Sequence, residues 1–207
     1  QHVRKALSLI DRYGFGFTVI TKSDRILRDL DLLRKINKKT KCVVQMTLTT
    51  CDEELCRKIE PHVSTTGERF EVLKKLRDVG IPSVVWLSPI LPFINDTAEN
   101  IAGILELCAE AGVYGVICFG MGLTLREGNR EYFYEQLDSL FPGLKGNYIR
   151  TYGNQYEIVS PDNGKLMKLF HQTCAEIGML HDNEEIFRYL HTFEEKGAGR
   201  QMSLWEL

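Results

Sequence analysis

From Val3 to Phe119, short apolar runs rich in β-formers alternate with amphipathic stretches of helical period. Residues 3–13 place Val3, Ala6, Leu7, Ile10 and Tyr13 on one helical face, and Gly14 is positioned to end that helix. Phe17–Ile20 reads as a short apolar strand. Ser23 or Asp24 caps a helix whose buried stripe is Ile26, Leu27, Leu30, Leu33 and Ile36. Cys42–Leu48 is the next strand and Asp52–Ile59 a short helix. Thr65-Thr-Gly-Glu68 has capping-box spacing, and its helix turns Phe70, Leu73, Leu76 and Val79 inward before Gly80. Ser83–Leu87 is a third strand. Thr97 caps a helix over 98–111, which Gly112 ends, and Tyr114–Phe119 is a fourth strand.

That order predicts an α/β fold with parallel strands buried on both faces. After Phe119 the pattern changes. Residues 120–160 carry glycines, aromatics and turn signals, whereas 161–179 and 183–195 read as helices. The expected organisation is a strand–helix unit over 1–122 and a helical extension over 123–207 packed against it, with no disordered linker between them.

The chain has 207 residues, 43% of them hydrophobic, enough for a sizeable core. Its net charge is −2 and its basic residues are scattered. The densest run, Lys38, Lys39 and Lys41, reads as a solvated helix end, which gives nucleic-acid binding little support. There is no long apolar span and no signal peptide, so a membrane role is not expected. The cysteines Cys42, Cys51, Cys56, Cys108, Cys118 and Cys174 are dispersed, with poor spacing for a closed metal site. They read as buried or incidental thiols in a reducing cytoplasm. The chain starts at Gln1, inside a helical pattern, so a fragment or processed product is expected.

In a barrel of parallel strands the polar residues past each strand face a common cavity. The exits here offer Thr21, Lys22 and Ser23; Thr47, Thr49 and Thr50; Ser88, Asn95 and Asp96 on a loop stiffened by Pro89 and Pro92; and Cys118, Gly120 and Gly122. Lys22 could meet a carboxylate, or it could be a surface lysine lying along its helix. Thr47 could donate to a ribose, or fill the sheet as a β-former. Arg69 could form a two-pronged carboxylate contact, although a surface ion pair is the commoner fate. Glu60 could orient Arg69 or be solvated. Asn95-Asp96 reads first as a cap or Asx turn. His171, His181 and His191 stand at ten-residue intervals that do not bring them onto one turn. No Gly-x-Gly-x-x-Gly, Walker lysine, Gly-x-Ser-x-Gly or His-Glu-x-x-His occurs, which weakens NTPase, hydrolase and zinc-protease readings.

Several blocks in order resemble the radical S-adenosylmethionine (SAM) domain, nearest its spore photoproduct lyase branch. They are Val19-Ile-Thr-Lys-Ser-Asp24 with Arg28-Asp-Leu; Glu60-Pro61; Glu68-Arg69 with Gly80-Ile81-Pro82; Ser88-Pro-Ile-Leu-Pro-Phe-Ile-Asn-Asp96; and Cys118-Phe-Gly-Met-Gly-Leu123. The resemblance covers about residues 1–125 and implies a partial (β/α)6 barrel that cleaves SAM with a [4Fe–4S] cluster. It further implies that Lys22 holds the methionyl carboxylate, Thr47 lies near the ribose, Arg69 serves the carboxylate and Ile90 meets the adenine. The family's Cys-x-x-x-Cys-x-x-Cys triplet does not occur in this sequence, so no metal ligand is assigned here. The expected protein is a fragment that lacks the first strands and the cluster loop and is inactive alone. Its Phe17–Ile20 strand would then be an exposed edge, open to self-association.

Two readings compete. One is a barrel lyase or aldolase with Lys22 as its Schiff-base lysine. The other is a non-catalytic binding module using Phe187, Tyr189, Phe193 and Trp205. The substrate, and whether DNA repair applies, are not legible in these residues.

Overall fold

Four parallel strands organise the chain in the computed structural model, which describes residues 2–193. Phe17–Thr21 (β1), Cys42–Leu48 (β2), Ser83–Leu87 (β3) and Gly115–Ile117 (β4) lie side by side in sequence order. The helices His2–Tyr13 (α1), Leu30–Lys39 (α2), Glu53–Ile59 (α3), Thr66–Asp78 (α4) and Ala98–Ala111 (α5) run between or beside them. This is the parallel α/β architecture that the alternating pattern predicts. Among the described residues no helix is long and apolar enough to cross a membrane.

All seven residues of β2 are buried, as a central parallel strand requires. Its side chains alternate between faces. Val44, Met46 and Leu48 join the main core with Leu33 of α2, Leu73 of α4 and Ile104 of α5. Val43 joins Val84 and Ile117 in a smaller cluster on the opposite face. Thr65 caps α4 with both arms of a capping box: its hydroxyl accepts from the Glu68 amide, and the Glu68 carboxylate accepts from the Thr65 amide. Gly112 closes α5 in the left-handed region, at φ 64°.

Beyond β4 the chain holds more regular structure than its pattern announces. Gly122–Thr124 (β5) pairs antiparallel with Glu157–Val159 (β6), so the extension is not purely helical. Gly122 permits this pairing, because a Cβ there would stand 2.3 Å from the Ile158 carbonyl oxygen. Between the two strands lie Asn129–Leu140 (α6) and Leu144–Tyr152 (α7). Both helices follow glycines with positive φ, Gly128 and Gly143, which belong to the turn signals read in this stretch. With β6 they enclose a third cluster of Leu137, Tyr148, Tyr152 and Ile158. Asn163–Glu176 (α8) sends Leu166, Phe170 and Cys174 into the main core, and Asn183–His191 (α9) covers the opposite face with Ile186 and Leu190.

Two expectations about the first residues change. The stretch after Thr21 is a 3-10 helix over Asp24–Asp29, capped by Ser23, before α2 begins. The apolar face of α1 is covered only in part. Leu7 is buried, but Val3 and Tyr13 are more than half exposed, because α1 packs chiefly on α2 at the edge of the sheet. β1 is one of the two outer strands of the sheet, and Ile20 on it is 55% exposed.

A carboxylate-centred candidate site at the strand exits

Glu60 ends α3 with its carboxylate directed toward the carboxyl ends of β1 and β2. The Lys22 ammonium, just past β1, hydrogen-bonds Glu60 Oε1. The Thr49 hydroxyl, just past β2, donates to Oε2 at 2.8 Å. Arg69 of α4 brings Nη2 to 2.7 Å from the same oxygen, a charge contact whose angle falls short of a hydrogen bond. Arg69 is fully buried; its Nε donates to the Ser64 carbonyl at 2.7 Å and its Nη1 to the Thr47 carbonyl at 3.0 Å. Burial raises the Glu60 pKa, but the Lys22 hydrogen bond, the Lys22 and Arg69 charges and the Thr49 hydroxyl outweigh it and leave the carboxyl below its ordinary value.

Ser64 ties the parts together. Its amide donates to the Lys22 carbonyl, its hydroxyl accepts from the Asp24 amide, and that hydroxyl also donates to the Asp24 carboxylate. Sequence reasoning passed over Ser64; its only signal is its place immediately before the capping box. On the far side, the Asn95 side chain donates to the Thr49 carbonyl at 2.8 Å and accepts from the Leu91 amide. Asn100 donates to the same Thr49 carbonyl at 3.1 Å. Asn95 is therefore a buried strut between the β2 and β3 exits rather than a helix cap. Asp96 accepts from the Ser160 hydroxyl at 2.5 Å, and Thr97 caps α5.

The structure thus gathers Lys22 and Arg69 on Glu60, with the Thr47 carbonyl bonded to Arg69. Arg69 is not the surface ion pair that its residue type favours; it is buried beneath the exits. The Thr47 side chain alternates onto the sheet face opposite the main core and is nearly buried. Ile90 is fully buried in the main core and its amide donates to the Gly122 carbonyl, so it presents no open face. Its neighbours Pro89 and Leu91 do line a cavity of about 550 Å³, which runs from Lys22, Thr49 and Glu60 to α6. A further cavity of about 560 Å³ lies by Lys41, Arg77 and Gly80, at the opposite ends of the strands and away from this cluster.

The other candidates separate by burial. Five of the six cysteines are buried, and all six are free thiols. Burial pushes the Cys42 and Cys174 thiols up to about 12, which disfavours thiolate chemistry there. His171 and His181 do meet, with ring centroids 5.2 Å apart, because a turn reverses the chain after α8. Ten-residue spacing concealed this. Lys41 rests over the Tyr189 ring and Lys39 pairs with Asp11, so two members of the basic run are engaged locally. Phe187 and Tyr189 pack on the sheet, and Tyr189 stacks on Tyr114 at 3.8 Å; Trp205 lies outside the described residues. Lys22 is ion-paired and a third exposed, unlike the free amine in an apolar pocket that Schiff-base chemistry uses.

Comparison with known proteins bears on the fold. No protein-family model matches the chain. An uncharacterised protein of Mycobacterium tuberculosis is 30% identical over 139 residues, which are 67% of this chain and 40% of that protein. An uncharacterised protein of Acidianus two-tailed virus is 33% identical over 132 residues, 62% of this chain and 42% of its own length. The chain thus spans about two-fifths of these curated relatives. Among solved structures, TsrM from Kitasatospora setae, a radical SAM methyltransferase solved with tryptophan and a SAM analogue, aligns with TM-score 0.50 and 16% identity. The alignment covers 89% of this chain and 41% of TsrM. The chain shares the fold of a radical SAM enzyme. The parallel four-stranded sheet with its helices agrees with that likeness, and the implied partial-barrel architecture stands.

Proposed function

We propose that this chain forms a cofactor-binding wall of a radical SAM enzyme, with Lys22 receiving the methionyl carboxylate of SAM. The observation that carries the reading is the cluster at Glu60. Lys22 and Arg69 are two cations on one carboxylate, a formal excess of one positive charge at the carboxyl ends of parallel strands. The buried Nη2 of Arg69 lacks an aligned acceptor, so a second carboxylate beside Glu60 would complete a polar site that is otherwise unfinished. Thr47 supplies the backbone carbonyl that fixes Arg69 and stands beside the proposed ribose position. Ile90 holds the exit loop from behind, while Pro89 and Leu91 present its apolar surface.

In such enzymes an iron–sulfur cluster and SAM together supply a 5′-deoxyadenosyl radical, and the protein supplies positioning. The cysteine triplet for a cluster does not occur in this sequence. Among the described residues no three His, Cys, Asp or Glu side chains could hold a metal. The cluster is therefore assigned no residue of this chain.

Calorimetric titration tests the carboxylate contact directly. SAM is expected to bind the wild-type chain at least about tenfold more tightly than 5′-methylthioadenosine, which lacks the amino-acid carboxylate. Lys22→Ala should remove that difference and Lys22→Arg should keep part of it. Equal affinities for the two ligands in the wild type would defeat the reading.

A second copy pairing along β1 belongs to the same proposal, since that strand is outermost with Ile20 exposed. Multi-angle light scattering should show association rising with concentration, and Ile20→Lys should suppress it. A wild-type chain that stays monomeric at high concentration contradicts this.

A further inference from the structure

The cavity over the Glu60 cluster continues between α3, the β3 exit loop and α6, and its far end has a different character. There Leu91, Ile94, Phe133 and Leu137 supply an apolar wall. Three cations line the cavity: Lys22, Arg57 and Lys58. Lys22 is held by Glu60, and Arg57 lies 3.2 Å from Glu53. Lys58 pairs with no carboxylate among the described residues; its ammonium rests over the Phe141 ring, 4.1 Å from the centroid. An aromatic face positions an ammonium without neutralising it. The cavity therefore ends in one unneutralised cation beside an apolar chamber.

We infer that this chamber binds an amphipathic monocarboxylate, its acid group on Lys58 and its aliphatic or aromatic body against Leu91, Ile94, Phe133 and Leu137. The volume of about 550 Å³ lies within the usual range for small-molecule sites, about 300–1,000 Å³. Of the uncharged side chains lining the cavity only Thr49, Tyr132 and Gln136 carry donors or acceptors, which disfavours sugars and other polyhydroxyl ligands and favours a body that needs chiefly burial. The charge arrangement selects the head group: a cationic amphiphile meets Lys58 repulsively, and a neutral one leaves it unanswered. The site reaches the Glu60 cluster, but the inference stands whether or not SAM binds at Lys22.

The test displaces a fluorescent fatty acid, 11-(dansylamino)undecanoate, from the whole chain with three ten-carbon competitors below their micellar concentrations. Decanoate is expected to displace it at about tenfold or more lower concentration than decan-1-ol, as one charge-assisted contact implies, with decyltrimethylammonium weakest. Added salt should shrink the preference, because Lys58 is exposed. Lys58→Ala should bring decanoate to the level of the alcohol, and Lys58→Glu should move the trimethylammonium ahead of decanoate. Thermal unfolding of both variants checks that the fold is intact, which exposure of Lys58 favours. Lys22→Ala should leave the order of the three competitors unchanged. Failure of the probe to bind saturably, equal displacement by all three, or loss of the preference in Lys22→Ala but not in Lys58→Ala would each overturn the inference.

Discussion

Replacing Arg69 with methionine should destabilise the protein by about 3–5 kcal/mol, the cost of removing one partner from a buried ion pair. The side chain is fully buried, and methionine roughly fills its volume without supplying its donors. The Ser64 and Thr47 carbonyls would lose their partners, at about 1–3 kcal/mol for each group left buried and unpaired. Glu60 would keep Lys22 and Thr49 but lose its deepest cation. Urea unfolding of Arg69→Met, Glu60→Gln and the double variant should reveal a coupling of about 0.5–3 kcal/mol between the two sites. Additive effects would mean that the pair does not act as a unit.

Acid should expose the same contact. The folded-state pKa of Glu60 lies below its ordinary value of 4.5, so the ionised carboxylate stabilises the native state above that pH. That contribution is lost as pH falls from 4.5 through the folded pKa. Glu60→Gln should be less stable than wild type at neutral pH, and the gap should narrow across that acid window. Its persistence at low pH would remove Glu60 from the account.

Tyr148→Ala should cost about 3–5 kcal/mol, as truncation of a buried aromatic does. Tyr148 is fully buried, its hydroxyl donates to the Pro92 carbonyl at 2.6 Å, and its ring meets Phe93 and Phe133 edge-on. Burial pushes its phenol well above the ordinary range, which favours the protonated, donating form. Phe93 itself sits at φ 63°, an uncommon conformation for a bulky residue, and the packing of Tyr148 and Tyr152 holds it there. Tyr148→Phe keeps the ring and should cost about 1–3 kcal/mol for the unpaired Pro92 carbonyl. Hydrogen exchange should quicken first over residues 89–96 and 129–152, ahead of the strands. Uniform acceleration across the sheet would show that Tyr148 is not a local tie.

The parallel core was legible because its signals are local: Val44, Met46 and Leu48 alternate with Val43 and Gln45, Thr65 and Glu68 form the capping box, and Gly112 closes α5. The helices α6 and α7 were not, because Gly128 and Gly143 precede them as turn residues and supply no side-chain cap to mark a start. At the site, Lys22, Thr49 and Glu60 were visible as strand-exit or helix-end polar residues. The pairing of Glu60 with Arg69 was among the readings of those residues, but that Lys22 joins it on the same carboxylate is a tertiary fact. The same limit hid the His171–His181 contact and the role of Ser64, whose neighbours are distant in sequence. Ile90, which the family resemblance sets against an adenine, is a core residue of the exit loop, a burial that its place between Pro89 and Leu91 does not announce.

Thr49 serves two masters with different atoms. Its hydroxyl addresses Glu60, while its carbonyl anchors Asn95 and Asn100. Substitution can alter the hydroxyl but not the carbonyl. Position 49 can therefore diversify in evolution, retuning the carboxylate cluster toward new chemistry, while the scaffold of the neighbouring loop is inherited intact.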